Sequence, residues 1–233
     1  MAETPKAWRI VLDRIEADLF SGRLGPGDRL PGERELASTM SVGRSSVREA
    51  LRVLEVMGVV RTAVGSGPSS GAMIVSTPAG GLGSLLRLQT AAQAFEFSDI
   101  VATRLVLEGA VVRELAGRDE PDLSAAQALL DAMSTQDLTR EEFLVLDQNF
   151  HHALAEASGN AVIATVMAGL RSAIEAYVTA GAATIADWET TAARLRAEHA
   201  GVLDAIRNSV PDEAARLVND HITGYYAQMR DEA

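Results

Sequence analysis

Four residues in the second half of this 233-residue chain have the chemistry of metal ligands. The segment LDQNFHHALAEASGN, residues 146–160, holds two of the four histidines, with an aspartate four positions before the first. On a helix turning about 100° per residue, Asp147 and His151 lie about 40° apart. They sit at the border of an apolar arc formed by Phe143, Leu146, Phe150, Ala153, Leu154 and Ala157. His152 falls on the other side, with Gln148 and Glu156, and is expected to face water. The same reckoning puts His199 inside the stripe Leu195, Val202, Leu203 and Ile206, and His221 inside the stripe Ala214, Leu217, Val218, Ile222 and Tyr225. Three inward imidazoles and one carboxylate suit a divalent ion, zinc first, with nickel, manganese or iron as alternatives. A single inward histidine is more often a hydrogen-bonded core residue, so pattern alone leaves a metal centre and a polar core both open.

A second inward constellation lies on SDIVATRLVLEGAVVRELA, where Arg104 and Glu108 share an arc with Ile100, Val101, Val111, Val112 and Leu115. Charged side chains are seldom buried unpaired. Either the two neutralise each other one turn apart, or Arg104 projects into a cavity and grips a ligand carboxylate by a two-pronged contact.

These residues need a helical bundle to bring them together. Beyond residue 77 the apolar periodicity predicts helices over roughly 80–93, 98–117, 121–135, 139–157, 160–181, 187–208 and 211–231, with Ser98, Asp137 and Pro211 at helix starts. The linker VSTPAGGLG divides the chain into domains 1–76 and 77–233. There are no cysteines, which excludes disulfides and thiolate metal sites and fits the cytoplasm. Neither a signal peptide nor a membrane span is evident in the sequence.

The first domain is expected to do different work. The net charge of −11 argues against a nucleic-acid partner only until it is divided. Residues 1–76 carry ten Lys+Arg against nine Asp+Glu, and residues 77–233 carry eleven against twenty-three. Local charge decides such questions. Helices are predicted at 6–21, at about 32–40 and over RSSVREALRVLEVMG, closed by Gly58; a hairpin VVRTAV–GSGPSSG–AMIVS follows. This is the order of a winged helix-turn-helix, whose second helix enters the DNA major groove. Arg44, Ser45, Ser46 and Arg48 in its first turn are base-edge and phosphate donors.

The stretch from Gly22 to Val60, GRLGPGDRLPGERELASTMSVGRSSVREALRVLEVMGVV, resembles the DNA-binding signature of GntR-type bacterial transcription regulators. The resemblance implies DNA contact by Arg34, Arg44, Ser45, Ser46 and Arg48, with the wing glycines Gly65 and Gly67 near the minor groove. Gly43 stands where that family usually has Ser or Thr, and the wing is longer than the common form. Residues from about 80 to 230 are similar to the FCD-type effector domain of the FadR subfamily, through Arg104, Leu107 and Glu108, through Asp147, Phe150 and His151, through Glu198 and His199, and through His221. That resemblance implies a metal held by Asp147, His151, His199 and His221, and a small carboxylate effector bound near it with Arg104 close by.

The fold class expected is therefore mainly α, a winged helix-turn-helix followed by a bundle of six to seven helices. The expected function is a ligand-responsive repressor, not an enzyme. It would act as a homodimer on palindromic double-stranded operator DNA, with effector binding shifting the pose of the DNA-binding heads. Two alternatives remain at this stage. One is a metal-dependent enzyme using the Asp/His set, for which Glu108 is the one candidate acid or base. The other is a regulator whose metal is purely structural.

Overall fold

The computed structural model describes residues 6–63, 71–75, 78–135 and 138–231. The chain divides into two compact units, Met1–Leu82 and Gly83–Ala233.

The first unit is a three-helix module with a hairpin: α1 (Ala7–Phe20), α2 (Glu33–Thr39), α3 (Arg44–Val56), β1 (Val60–Ala63) and β2 (Gly71–Ile74). Val11 and Ile15 of α1, Leu36 of α2, and Val47, Leu51 and Leu54 of α3 bury one face each to make its core. The break between α2 and α3 is tight. Ser41 takes a left-handed φ of 53°, and the Val42 amide donates to the Ala37 carbonyl at 3.0 Å. Gly58, at φ 73°, ends α3 and turns the chain into β1. The strands pair antiparallel with Val60 opposite Ile74 and Ala63 opposite Gly71. The segment around Arg29 bridges the other edge of β2 at Met73. The predicted wing residues Gly65 and Gly67 lie outside the described residues.

Among its described residues, the regular elements of the second unit are all helices. α4 (Pro78–Ala91) leads into it, followed by α5 (Phe97–Ala116), α6 (Ser124–Met133), α7 (Arg140–Ala157), α8 (Ala161–Thr184), α9 (Trp188–Arg207) and α10 (Pro211–Asp231). α5 packs along α10, α10 on α9, α7 on α6 and α8. A continuous core of aliphatic residues with Phe143 and Phe150 fills the interior. α5 approaches α10 closely at Gly109, where an added Cβ would stand 3.4 Å from the Asn219 side-chain oxygen. That approach sets Glu108 beside the last helix. No single helix among the described residues is long and apolar enough to cross a membrane.

Helix starts differ in detail from the sequence reading. α5 begins at Phe97 after Glu96, so Ser98 lies inside the helix and does not cap it. α7 is capped by Thr139, which accepts from the Glu142 amide while the Glu142 carboxylate accepts from the Thr139 amide, a reciprocal capping box. Asp137 lies outside the described residues.

Candidate metal centre and DNA-binding face

The site is assembled from five helices. α5 supplies Arg104 and Glu108, α7 Asp147 and His151, α8 Arg171, α9 Glu198 and His199, and α10 His221, Tyr225 and Tyr226. His151, His199 and His221 are all buried, as the helical phase required. One ligand atom from each of Asp147, His151, His199 and His221 lies within 4.8 Å of every other.

The imidazoles are held from behind. His151 Nδ1 stands 2.6 Å from Glu108 Oε2, and His221 Nδ1 stands 2.7 Å from Glu198 Oε2. The Glu198 carboxylate hydrogen-bonds His221 Nδ1, which keeps the proton there and leaves a lone pair on Nε2; the His151–Glu108 contact is close but lacks hydrogen-bond alignment. The two Nε2 atoms face each other at 3.2 Å. His199 Nε2 lies 3.3 Å from Asp147 Oδ1 but without hydrogen-bond alignment. Two acceptors converging at that range repel unless a cation or proton lies between them. Donor separations of 3.2 and 3.3 Å match ligands about 2.1 Å from a shared ion at roughly tetrahedral angles, so the donor set fits a divalent metal.

The electrostatics keep these groups in metal-binding form. Burial, helped by neighbouring His221 and opposed by Asp147, pushes His199 down to about 4, so its imidazole is neutral at physiological pH. Burial works against the Asp147 charge, yet the contact with His199 and the nearby imidazoles outweigh it and hold the carboxyl well below the usual range. Burial opposes the Glu108 charge too; Arg104 and His151 overcome it and bring Glu108 to about 2.

Arg104 is both paired internally and placed on a cavity wall. Its Nε donates to Glu108 Oε1 at 2.7 Å and its NH1 donates to the Tyr226 hydroxyl, so the internal pair is real. The side chain nevertheless lines a cavity beside the cluster, bounded also by Asp147, Gln148, Arg171, Ile174 and Tyr225. His152 departs from its expected place. It is half-buried at the wall of this cavity, 3.5 Å from Glu156, because α7 is flanked by α8 on the side assigned to solvent. It stays outside the four-residue cluster.

Two anchoring residues were underread in the sequence. Glu198 was visible only as part of a motif, and its partner His221 is on another helix. Arg171, on the largely apolar α8, has no part in the sequence reading.

In the first unit, Arg34, Arg44, Ser45 and Arg48 are exposed and Ser46 is half-buried. Glu33, at the start of α2, reaches α3: its Oε2 lies 3.4 Å from Arg48 NH1 and 3.9 Å from Arg44 NH2. One carboxylate thus hydrogen-bonds Arg48 and stands beside Arg44 at the start of α3.

A helix-turn-helix with a hairpin, followed by a helical domain, is the make-up of a DNA-binding transcription regulator with a second, C-terminal domain. Residues 9–68 match the family described as "Bacterial regulatory proteins, gntR family", and residues 99–224 match "FCD domain". The chain belongs to the GntR family of bacterial transcription regulators, in its FadR-like branch carrying an FCD domain. It is 32% identical over 234 residues to the HTH-type transcriptional repressor NanR of Klebsiella aerogenes, covering 97% of this chain and 86% of that one. It is 29% identical over 230 residues to NanR of Escherichia coli, covering 95% and 84%. The solved structure of Streptococcus agalactiae GntR superposes with a TM-score of 0.64 at 25% identity, covering 97% of this chain and all of that chain, 100%. These relatives are transcription regulators and not enzymes, which sets aside the metal-dependent enzyme as a reading of the Asp/His set.

Proposed function

We propose that this chain is a ligand-responsive, cytoplasmic repressor that binds palindromic operator DNA as a homodimer. Arg34, Arg44, Ser45, Ser46 and Arg48 contact the duplex, with the wing glycines Gly65 and Gly67 at the minor groove. Asp147, His151, His199 and His221 hold a divalent ion, zinc by the preference of a three-imidazole, one-carboxylate set. The ion supplies a Lewis-acidic anchor for a small carboxylate effector. Arg104 keeps two free N–H donors after binding Glu108 and Tyr226 and offers them to the effector.

The observation that carries this reading is the pair of carboxylate-backed imidazoles. Glu198 fixes the tautomer of His221 through Nδ1, Glu108 stands 2.6 Å from His151 Nδ1, and the two Nε2 atoms face each other. The convergence of His199 and Asp147 on the same point, with all four ligand atoms within 4.8 Å of one another, favours an ion over a single histidine–histidine hydrogen bond. The adjoining cavity, lined by polar groups, favours a sensing role over a purely structural ion. The relatives' designation as repressors supports repression as the output.

The test has two stages. Duplexes selected from a random pool by the full-length protein should share a palindromic site. Affinity for that site should then change about 5- to 150-fold when zinc and a small carboxylic acid are added together, the coupling of about 1–3 kcal/mol usual for allosteric sites. Sequence-independent binding, or binding indifferent to both additions, would contradict the proposal.

A further inference from the structure

The cavity beside the histidine cluster contains a cation that the fold does not neutralise. Arg171 is half-buried on α8 and lines that cavity. Its Nε donates to Gln148 Oε1 at 2.7 Å and its NH1 donates to Asn149 Oδ1 at 3.3 Å. Both partners are uncharged amides, and among the described residues no carboxylate pairs with it. Arg104 on the same wall is bound to Glu108, and Arg194 nearby on α9 is bound to Glu198. Burial outweighs the attraction of Asp147 and Glu175 and disfavours the Arg171 charge, so its guanidinium is under-compensated where it stands.

A second group has the same character. Tyr225 is 8% exposed, lines the same cavity, and its hydroxyl is buried without a hydrogen-bond partner. Burial raises its pKa, with Asp147 adding to the effect, so the group is a neutral phenol with a hydrogen to donate. A buried donor left without an acceptor costs free energy that a ligand oxygen would recover.

Charge counting gives the ligand its valence. With a divalent ion in the cluster, the wall carries that ion, Arg104 and Arg171 against Glu108 and Asp147. Two positive charges remain. A monoanion leaves one of them unpaired in a partly enclosed space, whereas a dianion cancels both. Ile174 and Val178 supply apolar wall for a carbon skeleton, and a cavity of about 40 Å³ favours a short one.

We infer that the effector is a short dicarboxylic acid, one carboxylate at the metal cluster and the other held by the Arg171 guanidinium and the Tyr225 hydroxyl. This rests on the metal-dependent sensing proposed above and narrows its ligand from any small carboxylate to a dianion. It also assigns the selection between acids to α8 and α10, where Arg171 and Tyr225 stand.

The test compares acids of equal length on full-length, zinc-loaded protein by calorimetry: malonate against propionate, and succinate against butyrate. The better-fitting dicarboxylate should bind about tenfold or more tightly than its partner, as a two-pronged guanidinium contact warrants. In Arg171→Gln that advantage should shrink to about threefold or less, with zinc content and helicity unchanged. Tyr225→Phe, which removes one oxygen, should weaken the dicarboxylate alone by several-fold and covers the case of a misfolded Arg171 variant. Equal binding of the paired acids, no binding of any of the four, or a preference that survives both substitutions would overturn the inference. Equal binding that still disappears when zinc is stripped would overturn the dianion while leaving metal-dependent sensing standing. Binding unaffected by zinc removal would overturn both.

Discussion

His151 and His221, on different helices and seventy residues apart, present their Nε2 atoms to each other at 3.2 Å, each imidazole held from behind by a carboxylate. The two belong to the four-residue group that could hold a metal ion. Glu108 does this for His151 while also neutralising Arg104, so one side chain links the metal centre to the cavity wall.

Glu198 would act on an ion held there only through His221, and this makes it the sharper residue to change. Glu198→Gln removes the charge behind Nδ1 but keeps an acceptor of the same shape. Metal affinity should fall about 10- to 100-fold, the usual consequence of losing such an outer partner. Competition with a chelator of known affinity measures it. An unchanged affinity would mean that His221 needs no carboxylate to be oriented.

Acid should destabilise the metal-free protein in a defined window. Folded His199 titrates at about 4 against an ordinary 6.5, and Glu108 at about 2 against 4.5. Both bind fewer protons folded than unfolded, so stability rises with pH. The His199 contribution is complete above about 6.5 and lost by about 4; that of Glu108 is complete above about 4.5 and lost by about 2. Melting temperature of chelator-stripped protein should therefore decline steadily from pH 7 to pH 4. A flat or rising profile would contradict the burial of a neutral His199. With metal bound, protons and ion compete for the same lone pairs, and metal affinity itself should weaken over this range.

On the DNA-binding unit, Arg44→Ala should cost about 1–3 kcal/mol of operator affinity and relax base preference at the position it reads. Glu33→Gln should act in the opposite sense on non-specific DNA, because it frees Arg44 and Arg48 from their shared carboxylate. Mobility-shift titrations at fixed salt compare the two. Wild-type affinity in Arg44→Ala would remove the first turn of α3 from the interface.

Much of this arrangement was legible because an α-helix has a fixed period. Asp147 and His151 border one apolar face, and His199 and His221 lie within two others, all on helices whose bounds the sequence defines well. Arg104 and Glu108 are one turn apart and pair as spacing allows. Glu198 was not legible as the anchor of His221, since the two lie twenty-three residues apart and their contact depends on how α9 meets α10. Arg171 sits in AVIATVMAGLRSAIEAYVTAGAAT, which is apolar nearly all round, so periodicity gives its side chain no direction. His152 was misread for a related reason: the phase of α7 was correct, but a face turned from the core was taken for solvent when α8 partly covers it. The Thr139–Glu142 box was readable as Thr-x-x-Glu, whereas the sequence reading named only Asp137 at this helix start.

The most direct test of the central claim is a zinc titration of chelator-stripped, full-length protein, followed by calorimetry and elemental analysis. The account predicts about one zinc per chain, bound tightly near neutral pH. It predicts that His199→Ala combined with His221→Ala loses this binding while keeping most of its helicity, since two of four ligands are gone. Wild-type protein that takes up no stoichiometric zinc, or a double variant that binds it undiminished, would contradict the account.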